Sequence, residues 1–319
     1  MKQAKGMKSV TVLGFQDDMA TTQTAAAKLF KIPFNKNQLV SKQELITPAT
    51  ITGTRNPVAP GMGQISVSGS LELPLEARSI GYILKGFFGA PVSTVDGTDE
   101  TIYHHVFKLQ DDQPPMTIEK GFPDIGQFFQ YTGCKVNKLS FDAEVGNNEA
   151  TYTADMVGKG EKLATASLNA AAAMLDILRL NNFNATVKQG GAVLGNCTKF
   201  TLNMDGGIDT DGYVLDGSAE VNDLPEGVVS VSGTATTKFT DAALFDLAVN
   251  GTATSLELLY ASGKFSLDIL IPEVQLQRQS PEITGSKGIT ADVSYQGFHN
   301  TDAQNSAVIV TLTNDVMAY

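Results

Sequence analysis

From Gln64 to Leu73 apolar and small polar residues alternate, with Ile65, Val67, Leu71 and Leu73 on one side. Period-two alternation predicts a half-buried strand. Pro74 stops ladder donation, and the period then changes. Ile80, Ile83, Leu84 and Phe87 fall at i, i+3, i+4 and i+7, the packing stripe of a short helix closed by Gly89. Residues 227–251 repeat the design. The tetrapeptide SVSG occupies 66–69 and again 230–233, and each copy opens a strand followed by a helix. In the second helix Leu244, Leu247 and Ala248 oppose Asp241 and Asp246, with Thr240 as the expected N-cap. One strand-to-helix unit is used twice.

The remaining periodicity is β-like in both halves. Residues 30–40, 41–52 and 103–109 read as strands, with Pro33 marking an edge position. Shorter candidates are 116–119 and 128–131. The alternating runs 134–145 and 150–157, around a turn at 146–148, predict a hairpin. The second half offers 183–187, 198–204, 213–221, 256–260, 265–271, 289–297 and 307–313. In this reading 198–204 matches 30–40, 213–221 matches 44–52, and 307–313 has no counterpart. Residues 1–28 lack a sustained period and read as an N-terminal arm. Residues 161–182 are Ala-rich, and helix propensity makes them a helical linker. The expected organisation is an arm at 1–28, one domain at 29–160, the linker at 161–182 and a second domain at 183–319. The fold class is mainly β: a β-sandwich or half-barrel, antiparallel, with one covering α-helix per domain.

Charge sharpens the picture. The net charge is −11, and it is lopsided. Residues 1–160 carry 15 Lys/Arg against 16 Asp/Glu, whereas residues 161–319 carry 8 against 18. An acidic half repels phosphate within a Debye length, which argues against sequence-specific nucleic-acid binding. The two cysteines, Cys134 and Cys197, do not make a disulfide framework. No apolar run approaches the roughly 20 residues a membrane helix needs, so no membrane partner is expected.

Catalytic constellations are thin. His104 and His105 are adjacent on a strand and point to opposite faces, so they cannot share a metal. HExxH, CxxC, GxSxG and GxxxxGK[ST] do not occur. The loop 205–216 (DGGIDTDGYVLD) resembles a calcium loop but lacks its twelfth-position Glu, and reads as a solvated acidic loop. No enzyme, metal or cofactor is expected.

Four long stretches, taken in order, resemble the two-domain tail tube (major tail) proteins of long-tailed bacteriophages. They are 67–90 (VSGSLELPLEARSIGYILKGFFGA), 116–145 (MTIEKGFPDIGQFFQYTGCKVNKLSFDAEV), 195–208 (GNCTKFTLNMDGGI) and 228–249 (VVSVSGTATTKFTDAALFDLAV). The resemblance implies a tandem duplication of the tail tube fold and a structural virion protein. It implies rings, trimeric and pseudo-hexameric, stacked into a channel for genome delivery. The implied partners are further copies of the chain, a tape measure protein, the tail terminator and the tail tip or baseplate proteins, with double-stranded DNA passing transiently. The implied location is the virion tail, after synthesis and assembly in the host bacterial cytoplasm.

The acidic balance of the second half makes Asp205, Asp209, Asp211 and Asp216 candidates for the channel lining. Ile80, Ile83, Leu84, Phe87, Leu244 and Leu247 are the helix-packing candidates. Ring-to-ring contacts are expected from 1–28, 41–63 and 91–101. A tail hub or tube-initiation ring protein at the tail tip is the nearest alternative, and a β-sandwich binding or adhesion module the next.

Overall fold

A computed structural model of the chain describes residues 3–283, 285–299 and 305–319. Its elements are β1 (Val10–Phe15), β2 (Phe30–Ile32), β3 (Lys36–Asn37), β4 (Val40–Ile46), β5 (Gly61–Pro74), α1 (Ile80–Phe88), β6 (Val92–Val95), β7 (Tyr103–Lys108), β8 (Met116–Phe122), β9 (Gln127–Glu144), β10 (Thr151–Gly158) and β11 (Gly160–Ala164). The second half supplies β12 (Ala185–Gln189), β13 (Ala192–Val193), β14 (Cys197–Asp205), β15 (Ser230–Lys238), α2 (Ala243–Asn250), β16 (Thr254–Ser262), β17 (Phe265–Leu276), β18 (Thr290–Gly297) and β19 (Ile309–Asn314). The fold is mainly β. Its ladders are antiparallel and join into one sheet system.

The pairings recur between the halves. β5 pairs β4 and β10, as β15 pairs β14 and β18. β8 pairs β1 and β9, as β16 pairs β12 and β17. β9 pairs β11, as β17 pairs β19. The long strands β9 and β17 each belong to two layers, their first part to the layer containing β8 or β16 and their last part to the layer containing β5 or β15. This correspondence replaces the alignment expected from the sequence. Residues 198–204 match the β4 region, and β19 has β11 as its counterpart. Residues 213–221 form no strand.

Two boundaries differ from expectation. The segment 1–28 is not an arm, because β1 lies between β2 and β8 with Val12 and Leu13 buried. β1 is covered on both faces, so its residues show no alternation to read. The residues after it are tied down as well: Gln16 Oε1 accepts from Gly133 N at 2.7 Å, and Gln23 N donates to Thr117 Oγ1 at 2.8 Å.

Residues 161–182 hold no α-helix. Their start is β11, and the rest runs extended over the first half. Lys31 N donates to Ala173 O, Ala77 N to Leu178 O, and Leu180 N to Leu75 O. Ala propensity is worth only tenths of a kcal/mol per residue, and hydrogen bonds to a preformed surface outweigh it.

Apolar side chains from both halves merge in one core, which runs from Leu13 and Ile118 through Phe141 and Phe200 to Ile269 and Leu312. The halves are also laced by exchange. The hairpin β6–β7, which follows α1, adds β7 to β19 of the second half.

Candidate functional site: a broad polar face

β4, β5, β10, β9, β14, β15 and β18 lie side by side, and the last residues of β17 complete the row. The sheet therefore crosses from one half to the other at β9–β14 without a break. One face is core: Leu71, Leu73, Leu139, Phe141, Ala154, Phe200, Leu202, Met204 and Tyr295 are buried. Period two then sends the intervening residues to the other face. These are Ser66, Ser68, Ser70, Thr153, Asp155, Lys138, Ser140, Asp142, Thr201, Asn203, Ser232, Thr234, Ser294 and Gln296.

Register sets this face in rows. One row reads Thr153, Ser140, Asn203, Ser232, Gln296 and Gln275 across successive strands. Another places Lys138 between Asp155 and Asp205. A third sets Lys199 between Glu144 and Thr236, with Asp292 beyond. Cross-strand bonds hold the rows: Ser70 Oγ to Asp155 Oδ1 at 2.5 Å, Ser140 Oγ to Asn203 Oδ1 at 2.9 Å, and Thr236 Oγ1 to Asp292 Oδ1 at 2.6 Å. Lys199 Nζ lies 3.3 Å from Glu144 Oε2. Lys138 and Lys199 thus sit among carboxylates, and small hydroxyl and amide groups fill the remainder. Such a surface presents no cluster of cations to a polyanion and no aromatic platform to a base.

The four acidic candidates divide. Asp205 stands on this face, at the end of β14 opposite Lys138. Asp209, Asp211 and Asp216 belong to the loop 206–229, which packs against the first half beside the sheet. Asp209 and Asp216 accept backbone N–H bonds from Asp211 and Ser218. The loop is pinned by Lys135, whose Nζ donates to Leu224 O at 2.8 Å and pairs with Glu226 Oε1 at 2.7 Å, both side chains largely buried. Tyr213 Oη donates to Ile65 O at 2.8 Å, and Val157, Ile208, Val221 and Leu224 make a small core beneath. Asp142, Glu144, Asp155 and Asp292 are face carboxylates that charge counting by halves missed. The alternation of Lys138, Ser140, Asp142 and Glu144 with Leu139, Phe141 and Ala143 was the signal that marks them.

The helix-packing candidates also divide. Ile80, Ile83, Leu84 and Phe87 are buried, and α1 buries nearly its whole surface. Glu76, itself buried, caps the helix by accepting from Ser79 N, the Ser79 hydroxyl and Ile80 N. Leu244 and Leu247 are only half-buried, and α2 has no buried residue. Asp241, not Thr240, accepts the Ala243 N–H at the start of α2.

His104 and His105 serve the scaffold. His104 reaches Asp96 at 2.9 Å, whereas His105, buried on the opposite face, meets Val316 O at 2.8 Å and Ser93 Oγ at 2.7 Å. Burial pushes the Cys134 thiol well above its ordinary pKa.

A family model described as phage tail tube protein matches residues 6–297. No curated protein matches the chain.

Proposed function

The chain belongs to the phage tail tube protein family, and from that premise we propose that copies of it close into rings whose broad polar face lines a channel for DNA. Its role is structural, as a component of the virion tail. The observation that carries the ring reading is the β9–β14 junction. There the first half passes its sheet to the second through seven consecutive residue pairs, Lys199 with Glu144 to Asp205 with Lys138.

The same junction can be built between chains. β14 stands to β15 as β4 stands to β5, and among the described residues β4 has a strand on one side only. β17 stands in the place of β9, and its ladder to β18 ends at Leu276. Setting the β4 edge of one copy beside the residues after β17 of the next repeats the internal junction. Three chains with two repeats each then give a pseudo-hexameric ring. Closure removes the open edges that an isolated sheet exposes.

The long β4–β5 hairpin suits ring-to-ring contact. Leu45, Ile46, Ile51 and Met62 are exposed along it, Ile51 to 95%, a cluster that water alone does not favour. Assembly of tubes around a tape measure protein, in the host cytoplasm, and capping by tail terminator and tail tip proteins complete the reading.

The test is a phage carrying Asp142→Lys, Glu144→Lys and Asp292→Lys together. Lumenal cations would hold phosphate, so genome ejection slows while tube length stays normal. Ejection at the parental rate from such tubes contradicts the lining assignment. A tail hub would instead stop at one ring, whereas a tube subunit yields long cylinders.

A further inference from the structure

We propose that the groove beneath α2 is the seat of the first repeat of a second copy of this chain. The inference rests on the ring reading and assigns a specific contact within it.

The chain itself shows what covers a helix in this position. α1, the counterpart of α2, is clamped by the last residue of β19 and those that follow it in the other repeat. Arg78 pairs with Asp315 at 2.6 Å, Asn314 Nδ2 donates to Ala77 O at 2.6 Å, and Lys85 Nζ donates to Tyr319 O at 2.9 Å. The Tyr319 ring stands edge-on to Tyr82 at 5.1 Å. It fills the space above Gly81 so closely that a Cβ there would collide with it.

Among the described residues α2 has no such cover, only the Arg278 guanidinium 5.6 Å from the Phe245 ring. Leu244, Phe245 and Ala248 line an open groove of about 350 Å³.

The groove is hollowed by shortened side chains. Where the first repeat sets Leu73 opposite Tyr152, the second sets Thr237 opposite Ala291. Tyr152 stacks on Phe141 of β9 at 5.5 Å. β17 ends at Leu276 and offers no such residue. A self-contained repeat would fill this volume, because voids under apolar side chains cost stability. One wall is formed by Gln277, Gln279 and Pro281, the residues beside which the next copy is placed by the β9–β14 rule. The incoming first repeat therefore arrives at the open groove.

The experiment places a single reactive thiol in the groove, as Ala248→Cys in a Cys197→Ser background, since Cys134 is fully buried. Labelling by a small maleimide is timed on dispersed chains and on assembled tubes. Assembly is expected to slow labelling by about tenfold or more, as burial protects a site from solvent. Equal rates in tubes and dispersed chains overturn the inference and leave the ring reading intact. A parental chain that stays monomeric by light scattering overturns both. Phe245→Glu gives a second arm: it should keep the parental melting curve and fail to form rings, and normal rings from it count against the inference.

Discussion

Gly69 and Gly233 explain the tetrapeptide that repeats in the sequence. A Cβ on Gly69 would collide with the carbonyl of Gln38, and one on Gly233 with that of Thr201 and with the Tyr295 ring. The motif is thus the mark of a close backbone approach, made once in each repeat. Gly233→Val should destabilise the chain by about 2–3 kcal/mol, read as a lower urea midpoint. An unchanged midpoint would remove this explanation.

Asp268 makes a prediction of opposite sign. Desolvation, followed by the neighbouring Glu257 carboxylate, raises its pKa from 3.8 to about 6, and its Oδ1 has no hydrogen-bond partner. The folded state therefore holds a proton that the unfolded chain has already released. Charging Asp268 costs stability above about pH 6, and the cost fades as pH falls towards 4. Asp268→Asn should raise stability at pH 8 by about 1 kcal/mol, allowing for solvent screening of a partly exposed group, with no gain at pH 4. Thermal melting at both pH values checks it. The glycine motif was legible in the sequence. The Asp268 environment was not, because the burial that shifts it comes from packing β17 between β16 and the distant strand β19.

At the scale of elements, alternation and helical stripes were legible wherever one face of an element meets solvent or a single core. The strand 61–74, helix α1 and the hairpin β9–β10 stood out for that reason. β1 did not, because it is covered on both faces, and the 161–182 strap did not, because its hydrogen bonds go to a surface formed elsewhere. Removing residues 1–20 therefore takes away a central strand, leaving β2 and β8 unpaired along that side. The truncated chain should lose its cooperative melting transition. A cooperative transition near the parental temperature would restore the reading of this segment as an arm.

The acidic loop 206–229 is likewise an architectural element, locked to β9 by Lys135 and Glu226. Glu226→Ala leaves a buried ammonium without its carboxylate and should cost about 3–5 kcal/mol, measured by urea unfolding. A loss below about 1 kcal/mol, the range of exposed pairs, would show the loop to be loosely held.

For the whole molecule, the duplication matters more than either half. Two repeats with matching ladders share one sheet, and the proposed ring repeats between chains the junction that joins them within one. The repeat was readable in SVSG and the helix stripes. Where its ends fall was not, since a register shift as small as one residue changes every pairing. Charge by halves pointed to an acidic character but not to the surface that bears it, because the polar face draws on both halves. The asymmetry between a sealed α1 and an open α2 appears only in three dimensions, and the proposed ring would use it at its growing edge.

The most direct measurement is a cryo-electron microscopy reconstruction of the particles the purified chain forms. The account predicts stacked rings of three chains, with Ser140, Asn203 and Ser232 facing the bore and β4 of each copy beside the end of β17 in the next. Closed globules, or cylinders with that polar face on the outer wall, would contradict it.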